Sequence, residues 1–305
     1  MQYGPLLIFI AAVLWGLDGI LRRSLYGLPP ATIVFYEHLI GAILIAPFLW
    51  KAWKEEVLSK NELTALGLVS LLSGVLGTLF FTTALMKVNY ISFSVVFLLQ
   101  KLQPIFTIIT AWFVLGEKVS TKYLPWAALA LVAGYFMTFP NGVVNMSGDG
   151  AHVSAALLAL AAAIAWGSST AFSRYVLIGH SNTLVTGMRF LLTVPLAFGF
   201  VIGFGQLDSV TAVTGIQLLT LFGIALSTGM LALWIYYRGL KTTPARISAI
   251  VELAFPMTAI IIDYFLYGTT LIWTQYLAAA ILLFAMYKVA QLNSPKLPEA
   301  VAQAV

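Results

Sequence analysis

Apolar stretches about as long as a bilayer is thick recur along this chain, and charge is confined almost entirely to the gaps between them. Read against charged, glycine and proline punctuation, the runs predict helices at 5–21, 31–50, 64–86, 91–115, 122–139, 153–173, 182–203, 212–237, 245–266 and 271–288. About 20 apolar residues suffice to cross the hydrocarbon core as a helix. Of the 305 residues 61% are apolar and 9% charged, against roughly 25% charged in a soluble domain. A water-soluble fold could not hide that much apolar surface. The predicted fold class is an all-α polytopic membrane protein with ten transmembrane helices, which excludes a secreted enzyme, a nucleic-acid binder and a disordered scaffold.

Further chemistries drop out residue by residue. Cysteine is absent, which removes disulfides, thiolate metal sites and cysteine nucleophiles. The histidines at 38, 152 and 180 are too scattered for a metal site. There is no HExxH, Walker loop or nucleophile elbow, so neither metal, cofactor nor enzymatic centre is expected. The first apolar segment runs into Asp18 and Arg22-Arg23 without a small-residue cleavage motif, and reads as a retained helix.

The basic residues report orientation. With the N-terminus inside, the cytoplasmic side receives Lys51, Lys54, Lys60, Lys118, Lys122, Arg174, Arg238, Lys241, Arg246, Lys288 and Lys296, while the outer side receives Arg22, Arg23 and Lys87. Cytoplasmic loops carry the excess of Lys and Arg, so both termini are predicted to be cytoplasmic. Scattered over helix ends, these charges do not form the continuous basic face that nucleic acid requires.

A shift of about 151 residues superposes Trp15-Gly16 on Trp166-Gly167, Arg23 on Arg174, Thr32 on Thr183 and His38 on Arg189; a shift of 152 superposes Pro104 on Pro256 and Gly116 on Gly268. The chain therefore divides into a first five-helix repeat (1–140), an external linker (141–152), a second five-helix repeat (153–290) and a cytoplasmic tail (291–305). Five is odd, so the repeats enter the membrane from opposite faces. Inverted repeats are a mark of secondary transporters.

Proline within a span removes a helical hydrogen bond, and broken helices near the midplane often build substrate sites. Pro104 and Pro256 are matched by the repeat and leave the carbonyls of Gln100 and Glu252 without their helical donors. Lys101 lies deep in its span and shares a helical face with Phe97 and Pro104, while Glu252 shares one with Ser248 and Pro256. Lys101 and Glu252 either pair with each other or meet a zwitterionic ligand, since intramembrane charges are costly and partnered. Trp15, Trp166, Trp234, Tyr236 and Tyr237 offer flat surfaces for an apolar or aromatic group. Glu37, His38 and Arg189 lie in matching helices but opposite leaflets, which suggests gating or helix tethering, with His38 also a candidate proton relay. Asp18 can pair with Arg22 one turn on, at the interface.

Trp-Gly in the first helix of each half, the run Leu102-Gln103-Pro104-Ile105-Phe106, the following Trp112-Phe113-Val114-Leu115-Gly116-Glu117 and the Arg189-Phe190 pair together resemble the EamA-type branch of the drug/metabolite transporter superfamily. Within it the chain looks most like bacterial amino-acid exporters, including those named for aromatic amino acids. The resemblance covers nearly the whole chain and implies a central cavity between the halves and transport without ATP. Glu37-His38-Leu39 stands where the family usually has an arginine, Ala254-Phe255-Pro256 where Glu-Pro is common, and Gly268-Thr269 where Gly-Glu is common.

The expectation from sequence is a bacterial inner-membrane exporter of neutral, including aromatic, amino acids and related metabolites, working by alternating access. Its partners would be a small-molecule substrate and the lipid bilayer. A sugar-phosphate or nucleotide-sugar antiporter is the alternative within transport, although it would need several deep cations. An enzyme or carrier acting on lipid-linked intermediates is the alternative from another class.

Overall fold

The computed structural model describes residues 3–87, 100, 102–143, 150–267 and 272–292. Among the described residues the chain is helical and has no strand. Helix α1 is Gly4–Arg23, α2 Pro30–Glu55, and α3 runs over Lys60–Lys87 with a π-helical middle at Ser70–Gly77. Then come α4 (Gln103–Leu115), α5 (Leu124–Thr138), α6 (Gly150–Gly179) and α7 (Asn182–Gly203), followed by a short helix, Leu207–Thr211. Among the described residues two helices are interrupted: α8 consists of Gly215–Leu226 and Met230–Leu240, and α9 of Ala245–Val251 and Ala254–Tyr267. Helix α10 is Trp273–Gln291.

Seven of the described helices are long and apolar enough to cross a membrane, and Gln103–Leu115 and Leu124–Met137 are shorter apolar helices. Only 33% to 56% of each long apolar window is buried inside the protein, so large apolar faces point outward. Phe113, Ile216 and Phe265 are among the side chains presented there. Outside a membrane such faces would drive aggregation; within one they are solvated by lipid tails.

The ends of the helices correct one expectation. Residues 51–63 were expected as a long connection, but α2 runs to Glu55 and α3 starts at Lys60, leaving only 56–59 between them. A capping box explains the early start. The Ser59 hydroxyl accepts the Glu62 N–H at 3.3 Å, and the Glu62 carboxylate accepts the Ser59 N–H at 2.7 Å. Interior breaks are the second difference. At α9, Pro256 has no N–H to offer the Glu252 carbonyl, and the Phe255 N–H takes that carbonyl instead at 2.9 Å, turning the chain at 252–253.

The packing follows the internal repeat. Helix α2 lies along α7 and α5 along α10, each element on its counterpart, as a two-fold relation between halves requires. The exchanged contacts are equally matched: α4 lies on α6, and the second part of α9 lies on α1. Both depend on the glycine of the Trp-Gly pairs. A Cβ on Gly167 would sit 2.7 Å from the Gln103 carbonyl oxygen and 3.0 Å from Phe106 Cβ, and one on Gly16 would sit 3.2 Å from the Phe255 carbonyl oxygen and 2.6 Å from Thr258 Cβ. Gln103 and Phe106 correspond to Phe255 and Thr258 under the 152-residue shift. In each half, glycine thus admits the backbone of the other proline-containing helix.

Candidate functional site

The two broken regions meet at a cavity between the repeats. Gln103 at the start of α4 donates through its side-chain amide to Glu252 Oε2 at 3.0 Å, which joins the proline-adjacent turn of one repeat to that of the other. Glu252 Oε1 accepts the Tyr236 hydroxyl at 2.7 Å and the Ser248 hydroxyl at 2.8 Å. Gln100, matched to Glu252 by the repeat, also lines the cavity, with its amide nitrogen buried and without a partner among the described residues.

On the adjoining wall the π-helical turn of α3 presents Ser73. Such a turn widens the helix and frees backbone carbonyls. The Ser73 carbonyl accepts Trp166 Nε1–H at 3.3 Å and the Thr78 hydroxyl at 3.1 Å, while its hydroxyl accepts from Arg189 Nη2 at 2.6 Å. Arg189 Nη1 donates to the Tyr237 hydroxyl at 3.1 Å. Trp15 packs on Tyr236 with ring centroids 5.0 Å apart, and Phe81 packs on Trp166 at 5.4 Å. These rings give the cavity aromatic walls between polar groups.

A third cluster lies on the same cavity. Arg22 pairs with Asp18 and donates to Glu37 Oε2 at 2.7 Å, and Thr228 donates to Asp18 Oδ1 at 2.6 Å. His38 holds its Nδ1 against the Val34 carbonyl at 2.8 Å and its ring 5.0 Å from Phe190.

Of the residues singled out from sequence, Trp15, Trp166, Tyr237 and Glu252 line the cavity. Glu37, His38 and Arg189 were placed in opposite leaflets away from it; all three lie on its wall. Asp18 and Arg22, read as interfacial, lie there too, and Arg22 is only 4% exposed. Trp234 does not line it. Its indole donates to Thr183 Oγ1 at 3.0 Å and its ring faces Arg238, because two residues along a helix turn it away from the face of Tyr236. Pro104 is buried behind Gln103 rather than on the wall. Pro256 falls in the first turn of the second part of α9, and nothing of its side chain is described. Phe97 and Lys101, and with them any pairing of Lys101 with Glu252, lie outside the described residues. Sequence reasoning missed Ser73, Phe81 and Gln103; only Gln103 carried a signal, as a polar residue beside a repeat-matched proline.

At one end of the bundle two polar ties bind the repeats together. The Glu117 carboxylate after α4 pairs with Arg174 at 3.0 Å and Arg246 at 3.2 Å, and accepts the backbone N–H of Ala245 at 2.9 Å at the start of α9. Arg174, counted from sequence among the loop charges, is 4% exposed. Nearby, the His180 ring lies between Glu56 Oε2 at 3.2 Å and Glu62 Oε1 at 3.0 Å, and Lys241 donates to the His180 carbonyl at 2.8 Å. Burial would raise the Glu56 carboxyl, but hydrogen bonds from Ser181 and the pairing with His180 outweigh it and hold it below its ordinary value. A carboxylate lowered on folding contributes stability above its unfolded value, and that contribution is lost as pH falls through the folded value. The unfolding temperature of the solubilised protein is therefore expected to fall on acidification below about pH 4.5 more steeply than that of Glu56→Gln. Parallel curves would show that the tie carries no such linkage.

The two halves also match one sequence profile separately: residues 2–139 and 153–290 each fit that of the EamA-like transporter family. The chain belongs to this family. As an EamA-like protein it is a multi-pass membrane transporter. It is 37% identical over 296 residues to the riboflavin transporter ImpX of Fusobacterium nucleatum subsp. nucleatum, a match covering 95% of this chain and 98% of that protein. A solved crystal structure shares the fold with a TM-score of 0.74 at 18% identity, covering 96% of this chain and 98% of the other.

Proposed function

We propose that this protein carries riboflavin, or a planar aromatic heterocycle closely like it, across a bacterial inner membrane through the cavity between its repeats. The observation that carries this reading is the near full-length match to a riboflavin transporter. The cavity supports it chemically. Trp15, Trp166 and Tyr236 supply flat surfaces on which a fused ring system stacks, and Arg189, Gln100, Gln103 and Glu252 supply polar groups for its edges and side chain. In this reading the chain crosses the membrane ten times, with residues 1–140 and 153–290 as inverted repeats and both termini in the cytoplasm. Exchange of conformation between the halves moves the cavity from one face to the other.

Aromatic amino acids are the second reading, favoured by the Arg189 guanidinium and the Glu252 carboxylate on the same cavity, as a zwitterion would need. Flavin fluorescence separates the two. Titrating purified protein into riboflavin is expected to quench emission saturably, since a ring stacked on Trp or Tyr loses fluorescence, with no displacement by excess tryptophan or phenylalanine. Trp166→Ala is expected to weaken binding about tenfold, as loss of an aromatic contact and its buried area implies. Quenching that tryptophan reverses, or no quenching at all, would favour the amino-acid reading.

A further inference from the structure

Two charged side chains on the cavity wall face no opposite charge among the described residues, and adjacent tyrosines hold them. The contrast with the other buried guanidiniums is direct: Arg22 lies on Asp18 and Glu37, and Arg174 on Glu117. Arg189, 9% exposed, has among the described residues only the hydroxyls of Tyr237 and Ser73. A guanidinium has five N–H donors, and the Arg189 Nε is buried without an acceptor among the described residues. Leaving such donors unmet is costly unless a ligand supplies acceptors. Glu252 is the converse case. Among the described residues its carboxylate is met by Tyr236, Ser248 and Gln103, all neutral donors, and keeps room to accept from a ligand.

Tyr237 holds Arg189 and Tyr236 holds Glu252, with the two rings 5.8 Å apart. Successive residues on a helix point about 100° apart, so this pair divides the wall into a donor pole and an acceptor pole. Trp15, packed on Tyr236, supplies a flat surface beside them.

We infer, resting on the riboflavin reading above, that the ligand is oriented with the pyrimidinedione edge of its ring on Arg189 and its ribityl hydroxyls on Glu252. The dione edge offers carbonyl oxygens and a ring-nitrogen lone pair, which a planar guanidinium fork meets in plane. The ribityl chain offers hydroxyl donors to the carboxylate, and the amides of Gln100 and Gln103 lie on the same cavity. The reverse orientation would leave the carboxylate a single imide N–H flanked by two carbonyl oxygens, and Arg189 hydroxyls alone.

Lumiflavin, the same ring with a methyl group in place of the ribityl chain, tests the assignment. Affinities of riboflavin and lumiflavin are measured by fluorescence for wild type, Arg189→Gln and Glu252→Gln, with Tyr237→Phe and Tyr236→Phe as milder variants that loosen each pole. Changes at the arginine pole are expected to weaken both ligands, by about tenfold or more for Arg189→Gln. Changes at the Glu252 pole are expected to weaken riboflavin and leave lumiflavin within about twofold. The opposite pattern, or equal losses for both ligands at both poles, would overturn the orientation while leaving the riboflavin reading standing. Failure of the wild type to bind either flavin would remove that reading and the orientation with it.

Discussion

Glu117→Ala is expected to destabilise the folded protein by about 3–5 kcal/mol, the usual cost of removing one partner from a buried ion pair. The alanine would leave Arg174 buried without a counter-charge and strip the first N–H groups of α9 of their acceptor. Because Glu117 follows α4 while Arg174 and Ala245 belong to the second half, the loss falls on the join between repeats. Transport is therefore expected to fail along with stability. Glu117→Gln keeps an acceptor for the Ala245 N–H but loses the charge, and should fall between wild type and alanine. Chemical unfolding of the purified protein in detergent measures this; a change under about 0.5 kcal/mol, the usual range for surface substitutions, would mean the carboxylate is not the tie described.

The second large effect is expected at Gly167. Its missing side chain admits the Gln103 carbonyl, and the Thr107 backbone nitrogen lies 3.2 Å from the same point. Backbone cannot rotate aside as the end of a flexible side chain can, so Gly167→Ala must push α4 away from α6. Overpacking of this kind costs typically about 1–3 kcal/mol. The displacement also acts on function, since Gln103 carries the bond to Glu252 across the cavity. Gly199→Ala is the matched control. It too is helical, but a Cβ there meets nothing within 4 Å, and alanine should be neutral or stabilising by up to about 1 kcal/mol. Equal behaviour of the two variants in unfolding and ligand binding would refute the close-approach account.

How far the sequence reaches is visible in these same residues. Trp15-Gly16 and Trp166-Gly167 could be paired from spacing alone, and the structure gives both glycines the same task against matched helices. Helix periodicity and apolar length located the helices because lipid demands both. Depth was harder to read. Counting positions from the end of a span put Asp18, Glu37 and Arg189 in different layers, on the assumption that each helix is surrounded by hydrocarbon. A polar cavity between two halves removes that constraint and lets charge sit at any level. Trp234 shows the other limit: residue type identified an aromatic, but only the helix face decides whether it meets the cavity or Thr183. The Ser73 contribution came from a π-helical turn, which leaves no mark in hydropathy. Ser59-Lys60-Asn61-Glu62, by contrast, was a legible capping box that apolar counting passed over.

Riboflavin transport through the cavity is tested by counterflow in proteoliposomes loaded with unlabelled riboflavin and diluted into labelled riboflavin. Saturable accumulation of label is expected, absent from empty vesicles, unaffected by external tryptophan, and largely lost when Trp15 and Trp166 are both replaced by alanine. Accumulation at the level of empty vesicles, from protein shown to be folded and to exchange aromatic amino acids, would contradict it.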